Sequence, residues 1–296
     1  MATAAVDRTQ PVVIEESLAT RVVRFAAKLP IHLLLAAIGL FWLIPTLGLF
    51  VTSLLLPEDQ AKGGWWNFLF EPHTWSLQNY ENMFDNERIT DALIITAQVT
   101  LGGTILPILV AALAGYALAW LDFPGRDWAF LAVIGLLIVP IQMALIPMFR
   151  LYNSANLFDT IWGLVLFHSA FALPFGIFLL RNFFAGIPRD LMEAARIDGA
   201  SEIRLFLKVV LPLGLPAIAS LAILQVLFVW NDLLIGLVLS QDNTPIAPTL
   251  AQQLRRFGSN LDVLATASFF SAVIPLSIFA AFQRYFVQGL LAGSVK

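Results

Sequence analysis

No cysteine occurs among the 296 residues, which removes disulfides, thiolate nucleophiles and cysteine-ligated metals from consideration. Charge is also scarce, at 12% of residues against 59% hydrophobic, and the mean hydropathy is +0.81. So little charge cannot cover the surface of a water-soluble chain of this length. None of the four lysines, Lys28, Lys62, Lys208 and Lys296, stands in a Gly-Lys-Ser/Thr context, so the chain has no phosphate loop. The three histidines, His32, His73 and His168, are too far apart in sequence to form a His-x-x-x-His metal pair. With 17 basic and 20 acidic residues and a net charge of -3, there is no positive field to attract nucleic acid.

What the chain has in abundance is long apolar runs. At about 20 residues per membrane span, the runs predict an all-α polytopic membrane protein with six transmembrane helices. The first runs from Ile31 to Leu56 and is too long for the apolar core of a signal peptide, so it reads as a retained span. The others run from Ala92 to Trp120, Trp128 to Phe149, Ile161 to Leu180, Leu211 to Leu239 and Val263 to Phe282. Between the first two lies a mixed segment in which Trp65, Trp66, Trp75 and Tyr80 suit a membrane interface. The stretch from Ser240 to Asp262 reads as a polar loop. Pro45, Pro107, Pro140, Pro147, Pro174, Pro216 and Pro275 fall inside spans, where neighbouring helices or a wet cavity must satisfy the freed backbone groups.

Six spans place both termini on one side. Twelve of the 17 basic residues then share the side of the N-terminus, among them Arg21, Arg24, Lys28, Arg126, Arg181, Arg189, Arg196, Arg204 and Lys208. The positive-inside rule makes that side cytoplasmic. The expected organisation is a cytoplasmic N-terminal segment at 1–30, a six-span domain at 31–286 that includes a cytoplasmic loop at 181–210, and a cytoplasmic tail at 287–296.

The loop is the most informative part of the chain. Pro188 at a first helical position and Asp190 in the first turn start one short helix, Gly199 ends it, and Ser201 caps a second. Apolar residues in the second helix fall at Ile203, Phe206, Leu207 and Val210, one face of a helix. Periodicity alone reads this as a helix pair on the membrane surface. Elsewhere, Asp232 is the acidic residue deepest in an apolar run, flanked by Trp230 and Asn231. A carboxylate there must be paired or wet, so Trp230, Asn231 and Asp232 are candidate pathway residues, with helix packing as the plainer reading. The isolated polar residues Gln98, Gln142, Gln225 and His168 suit interhelical hydrogen bonds.

Glu193-Ala194-Ala195, followed by Asp198-Gly199 and then Leu211-Pro212, resembles the EAA loop of ABC importer permeases. Trp230-Asn231-Asp232 and the C-terminal stretch Tyr285 to Lys296 resemble the carbohydrate-uptake branch, in its maltose-type second permease subunit. Ile44 to Phe50 and Gly63-Gly64-Trp65-Trp66 look most like α-glucoside permeases. The resemblance implies a type I importer permease fold in a cytoplasmic (inner) membrane, with no catalysis by this chain. It implies a coupling helix seated in a cleft of a cytoplasmic ATPase subunit, with Glu193, Ala194, Ala195, Asp198 and Gly199 at or beside the contact. Gly289, Gly293 and Lys296 would reach between two ATPase subunits. The implied partners are a second permease subunit, two ATPase subunits that hold ATP and Mg, an extracytoplasmic solute-binding protein, and a sugar; this chain itself binds no cofactor. An ion-coupled secondary transporter with Asp232 as its ion or proton site is the alternative outside this family, and a glycerol-phosphate or polyol importer the alternative within it.

Overall fold

The computed structural model describes residues 18–61, 63–70, 74–257 and 261–292. No β-strand occurs among them; an isolated bridge between Leu55 and Trp75 is their one extended pairing. The first helix, α1 (Leu18–Leu54), begins ahead of the apolar run that predicts it. Residues 1–48 and residues 49–296 form separate units.

After α1 come the short α2 (Pro57–Ala61), a 3-10 turn (Trp65–Leu69) and α3 (Gln78–Phe84). The spans that follow are α4 (Glu87–Trp120), the pair α5 (Arg126–Leu136) and α6 (Ile141–Ser154), and α7 (Ile161–Ala185). Then come α8 (Arg189–Ile197), α9 (Glu202–Leu205), a π turn (Phe206–Val210), α10 (Leu211–Trp230), α11 (Leu234–Leu239), α12 (Ile246–Phe257) and α13 (Leu261–Ala292). Five stretches among the described residues are long and apolar enough to cross a membrane, and the α5–α6 pair makes a sixth when counted as one span.

That third span is not the single helix expected from Trp128 to Phe149: α5 and α6 meet at 97°. Pro140, at φ −67° and ψ 130°, lies just ahead of α6. It has no N–H to continue α5 and disfavours helical geometry at the residue before it, so the apolar run is broken without losing hydropathy. The fifth span also differs from expectation. It stops at Trp230, and α11 restarts after Asn231, Asp232 and Leu233. The stretch expected as a polar loop after Ser240 contains α12, tied to α4 by the Ile246 N–H donating to Thr96 Oγ1 at 2.7 Å. α13 continues past Phe286 into the residues assigned to the tail.

Helices α4, α7 and α10 pack together as the core, with α13 against α10. The α4–α7 crossing is close because small residues line it. A methyl on Gly115 would lie 3.0 Å from the Arg181 backbone nitrogen, and one on Gly176 would lie 3.0 Å from the Ala111 Cβ. Gln225 crosses from α10 to donate to the Gly103 carbonyl at 3.0 Å, the interhelical bond expected of an isolated amide in a span.

Carboxylates hold the start of α11 and the loop that follows it. Asp232 accepts from the Ile235 and Gly236 N–H groups at 3.3 and 3.1 Å. Asp159, in the turn between α6 and α7 at φ 57°, accepts from the N–H groups of Gln241, Asp242 and Asn243 at 2.7, 3.1 and 2.9 Å. The turn and the loop after α11 are joined again by the Asp159 N–H donating to the Leu239 carbonyl at 3.0 Å.

Two predictions follow from these caps. Asp159→Ala is expected to raise amide exchange at 241–243 and to destabilise the protein by about 1–3 kcal/mol, the cost of losing hydrogen bonds to a charged acceptor; unchanged exchange would show that the carboxylate does not hold the loop. Asp232→Asn keeps an acceptor for the α11 N–H groups and should melt near wild type in detergent, whereas Asp232→Leu, which leaves them unpaired, should melt several degrees lower. Equal melting of the two variants would rule out the capping role.

Candidate functional site

The α8–α9 segment stands at one end of the bundle. α8 starts after Pro188, which occupies the position ahead of the first helical residue and not that residue itself. It ends in a Schellman arrangement: the Gly199 N–H bonds the Arg196 carbonyl and the Ala200 N–H bonds the Ala195 carbonyl, both at 3.0 Å. Gly199 sits at φ 78°, a left-handed conformation that a side chain would strain. Asp198 closes the last turn through its N–H to the Ala194 carbonyl at 3.0 Å.

One side of α8 is fixed. Met192 is fully buried among Leu180, Phe184, Ile187 and Leu205, and Ala195 and Ala200 pack against the same cluster. The other side is open. Glu193, Ala194 and Asp198 are exposed, and Ile197 shows 86% of its surface. The carboxylate and methyl of Glu193 and Ala194, with the bare Ile197 one turn on, form a surface suited to another protein, since nothing among the described residues covers them.

The second helix departs from the expected pattern. Ser201 holds the position ahead of α9 but its hydroxyl makes no capping bond. The buried residues are Leu205, Phe206 and Val210, while Ile203 is 74% and Leu207 52% exposed. The π turn from Phe206 to Val210, with its extra residue per turn, brings Leu205 and Val210, five positions apart, to the same buried side. Besides the buried Leu205, Glu202 ties α9 to its neighbours by hydrogen bonds. Its Oε1 accepts from Arg196 Nε at 3.2 Å, and its Oε2 accepts from the Tyr116 hydroxyl of α4.

The Trp230-Asn231-Asp232 group lies elsewhere, at the α10–α11 break. The Trp230 indole N–H donates to the Ser271 carbonyl and hydroxyl of α13 at 3.0 and 3.1 Å, and the Asn231 amide donates to the Leu227 carbonyl at 2.8 Å. Asp232 caps α11 and has His168 Nε2 3.8 Å from Oδ2. Beyond the break lies a polar cavity of about 670 Å³ lined by Glu87, Arg88, Asp91, Gln241, Asp242 and Gln252 among others. Arg88 donates to Gln252 Oε1 there at 3.1 Å. Gly289 is part of α13; Gly293 and Lys296 lie outside the described residues.

Several residues that shape these sites carry no sequence signal as such. Tyr116 and Glu202 are 86 positions apart. Asp159 and the loop it holds are separated by 82 to 84 positions. Ala195, expected at or beside the partner contact, packs on the inner side of α8 with Met192, three positions before it.

Known proteins resemble the chain over most of its length. The osmoprotective compounds uptake permease protein GgtD of Synechocystis sp. is 42% identical over 282 residues, covering 93% of this chain and 95% of that one. The alpha-glucoside transport system permease protein AglG of Rhizobium meliloti is 45% identical over 233 residues, covering 76% of this chain and 61% of that one. A chain in the crystal structure of a bacterial ABC transporter involved in the import of the acidic polysaccharide alginate shares the fold with a TM-score of 0.73. That match is 21% identical and covers 92% of this chain and 99% of the other. The family model described as binding-protein-dependent transport system inner membrane component matches residues 18–291. The chain therefore belongs to that family of membrane-spanning permease components of ABC transporters, which are not themselves enzymes.

Proposed function

We propose that the chain is one of two permease subunits of an ATP-driven importer of sugars, with an α-glucoside or a related oligosaccharide as cargo. The observation that carries the reading is the open Glu193–Gly199 surface on a family member matched from residue 18 to 291. The surface is shaped for a partner and held rigidly on its inner side by Met192. The family description supports an extracytoplasmic binding protein as the donor of cargo. The name of an α-glucoside permease among the relatives supports a hydroxyl-rich cargo.

In this reading both termini and the α8–α9 segment lie in the cytoplasm, as the excess of basic residues on that side supports. Two ATPase subunits hold ATP and Mg, and α8 seats in a cleft of one of them. Closure of the ATPase pair displaces α8, and the bundle opens toward the binding protein; ATP hydrolysis reverses the movement. Gly289, Gly293 and Lys296 extend the contact with the ATPase pair. The polar cavity beside Arg88 and Gln252 offers amide, hydroxyl and carboxylate partners to sugar hydroxyls. Trp230, Asn231 and Asp232 hold the break in the fifth span open beside that path.

The test is purification of the tagged chain from its native membrane in mild detergent, followed by reconstitution with its binding protein. A second permease and an ATPase are expected to copurify, and α-glucosides are expected to stimulate ATP hydrolysis. A chain that transports by itself, insensitive to ATP depletion, would overturn the reading; stimulation by a polyol or glycerol phosphate in place of glucosides would overturn the cargo. Ile197→Asp is expected to lose the ATPase from the purified complex, since it places a charge where an apolar contact is made. Gly199→Val strains the α8 terminus by about 1–2 kcal/mol and is expected to lower uptake more than ATP hydrolysis; retention of the wild-type ratio would show that the turn plays no part in coupling.

A further inference from the structure

We propose that Glu202 is a positioning residue that carries movement of α8 to α4 through the Tyr116 hydroxyl, a second route into the bundle beside the covalent one through α10. The proposal rests on the importer reading given above and names how its docking surface reaches the spans.

Three observations place the route. The first is the bridge itself. Arg196 is one residue from the exposed Ile197 and three from Glu193, and its Nε lies 3.2 Å from Glu202 Oε1. The other carboxylate oxygen accepts from Tyr116, whose side chain is buried, with its ring 5.3 Å from that of Phe206. One carboxylate thus links the last turn of α8 to the core of α4.

The second observation is the π turn between α9 and α10. A π turn departs from regular α-helical geometry, and such turns are frequent at functional sites. The third concerns stability. The Arg196–Glu202 pair is close to half exposed at 40% and 46%, and pairs of that kind add little to folding. Met192, Leu205 and Val210, all fully buried, already fasten the segment. The bridge is unnecessary as an anchor, and its direction, from docking surface to span, is what distinguishes it.

The destination is suited to the task. Nearer the middle of α4 the Gly103 carbonyl accepts from Gln225 of α10, and a methyl on Gly103 would lie 3.2 Å from the His168 Cβ of α7. Movement of α4 is thus felt by both of its core neighbours.

The experiment uses the complete transporter, with binding protein, in proteoliposomes, and compares α-glucoside taken up per ATP hydrolysed. Tyr116→Phe removes one oxygen and leaves the ring packing. It is expected to retain the ATPase subunit and its basal hydrolysis while uptake per ATP falls about tenfold, the weight of a hydrogen bond to a charged acceptor. Glu202→Gln, on a side chain near half exposure, is expected to lower the same ratio and serves where Tyr116→Phe reduces the yield of complex. The double variant is expected to be no worse than the more impaired single one, because the two residues act through each other. An unchanged ratio in both single variants, with the ATPase retained, overturns the route and leaves the importer reading intact. Failure of the wild-type chain to retain any ATPase overturns the importer reading, and the route with it.

Discussion

Hydrocarbon offers no partner to a backbone N–H or carbonyl, and the architecture answers to that constraint at every place where a helix stops inside an apolar run. The fifth span breaks at Asn231–Leu233, and the Asp232 carboxylate takes up the N–H groups that the restart leaves free. The third span breaks at Pro140, which has no N–H to leave free. Each break is therefore a built feature, and at the α5–α6 elbow the chain turns by 97°.

Much of this was legible in the residues. Apolar length located the six spans, since a run of twenty such residues has few other uses. Gly199 marked its turn because the left-handed conformation has so few other occupants, and of Glu193-Ala194-Ala195 the first two stand on the surface that the structure leaves open. The breaks were less legible, for a physical reason. Pro140 and Asp232 stop helices without lowering the hydropathy around them, so a reading by apolar length runs straight through both. The π turn misled in another way: it inserts a residue into the period, and Leu205 takes the buried place that regular spacing assigns to Ile203 and Leu207.

What sequence spacing could not show are the links between distant segments. The acceptors at Asp159 and Glu202 are ordinary surface-type residues, each with a partner more than eighty positions away. Both are carboxylates that tie distant segments, one at the loop after α11 and one at the docking segment. In the described chain, apolar packing sets where helices lie, and these few polar groups set which of them are tied together.

The tightness of the α4–α7 crossing has a mechanical consequence. Where an added methyl would come within 3.0 Å of the opposing backbone or Cβ, there is no side-chain layer to rearrange and no slack to absorb a shift. The two helices behave as one beam. Whatever displaces α4 displaces α7 with it, so the articulation of the subunit falls to its discontinuities: the elbow between α5 and α6, the gap between α10 and α11, and the π turn.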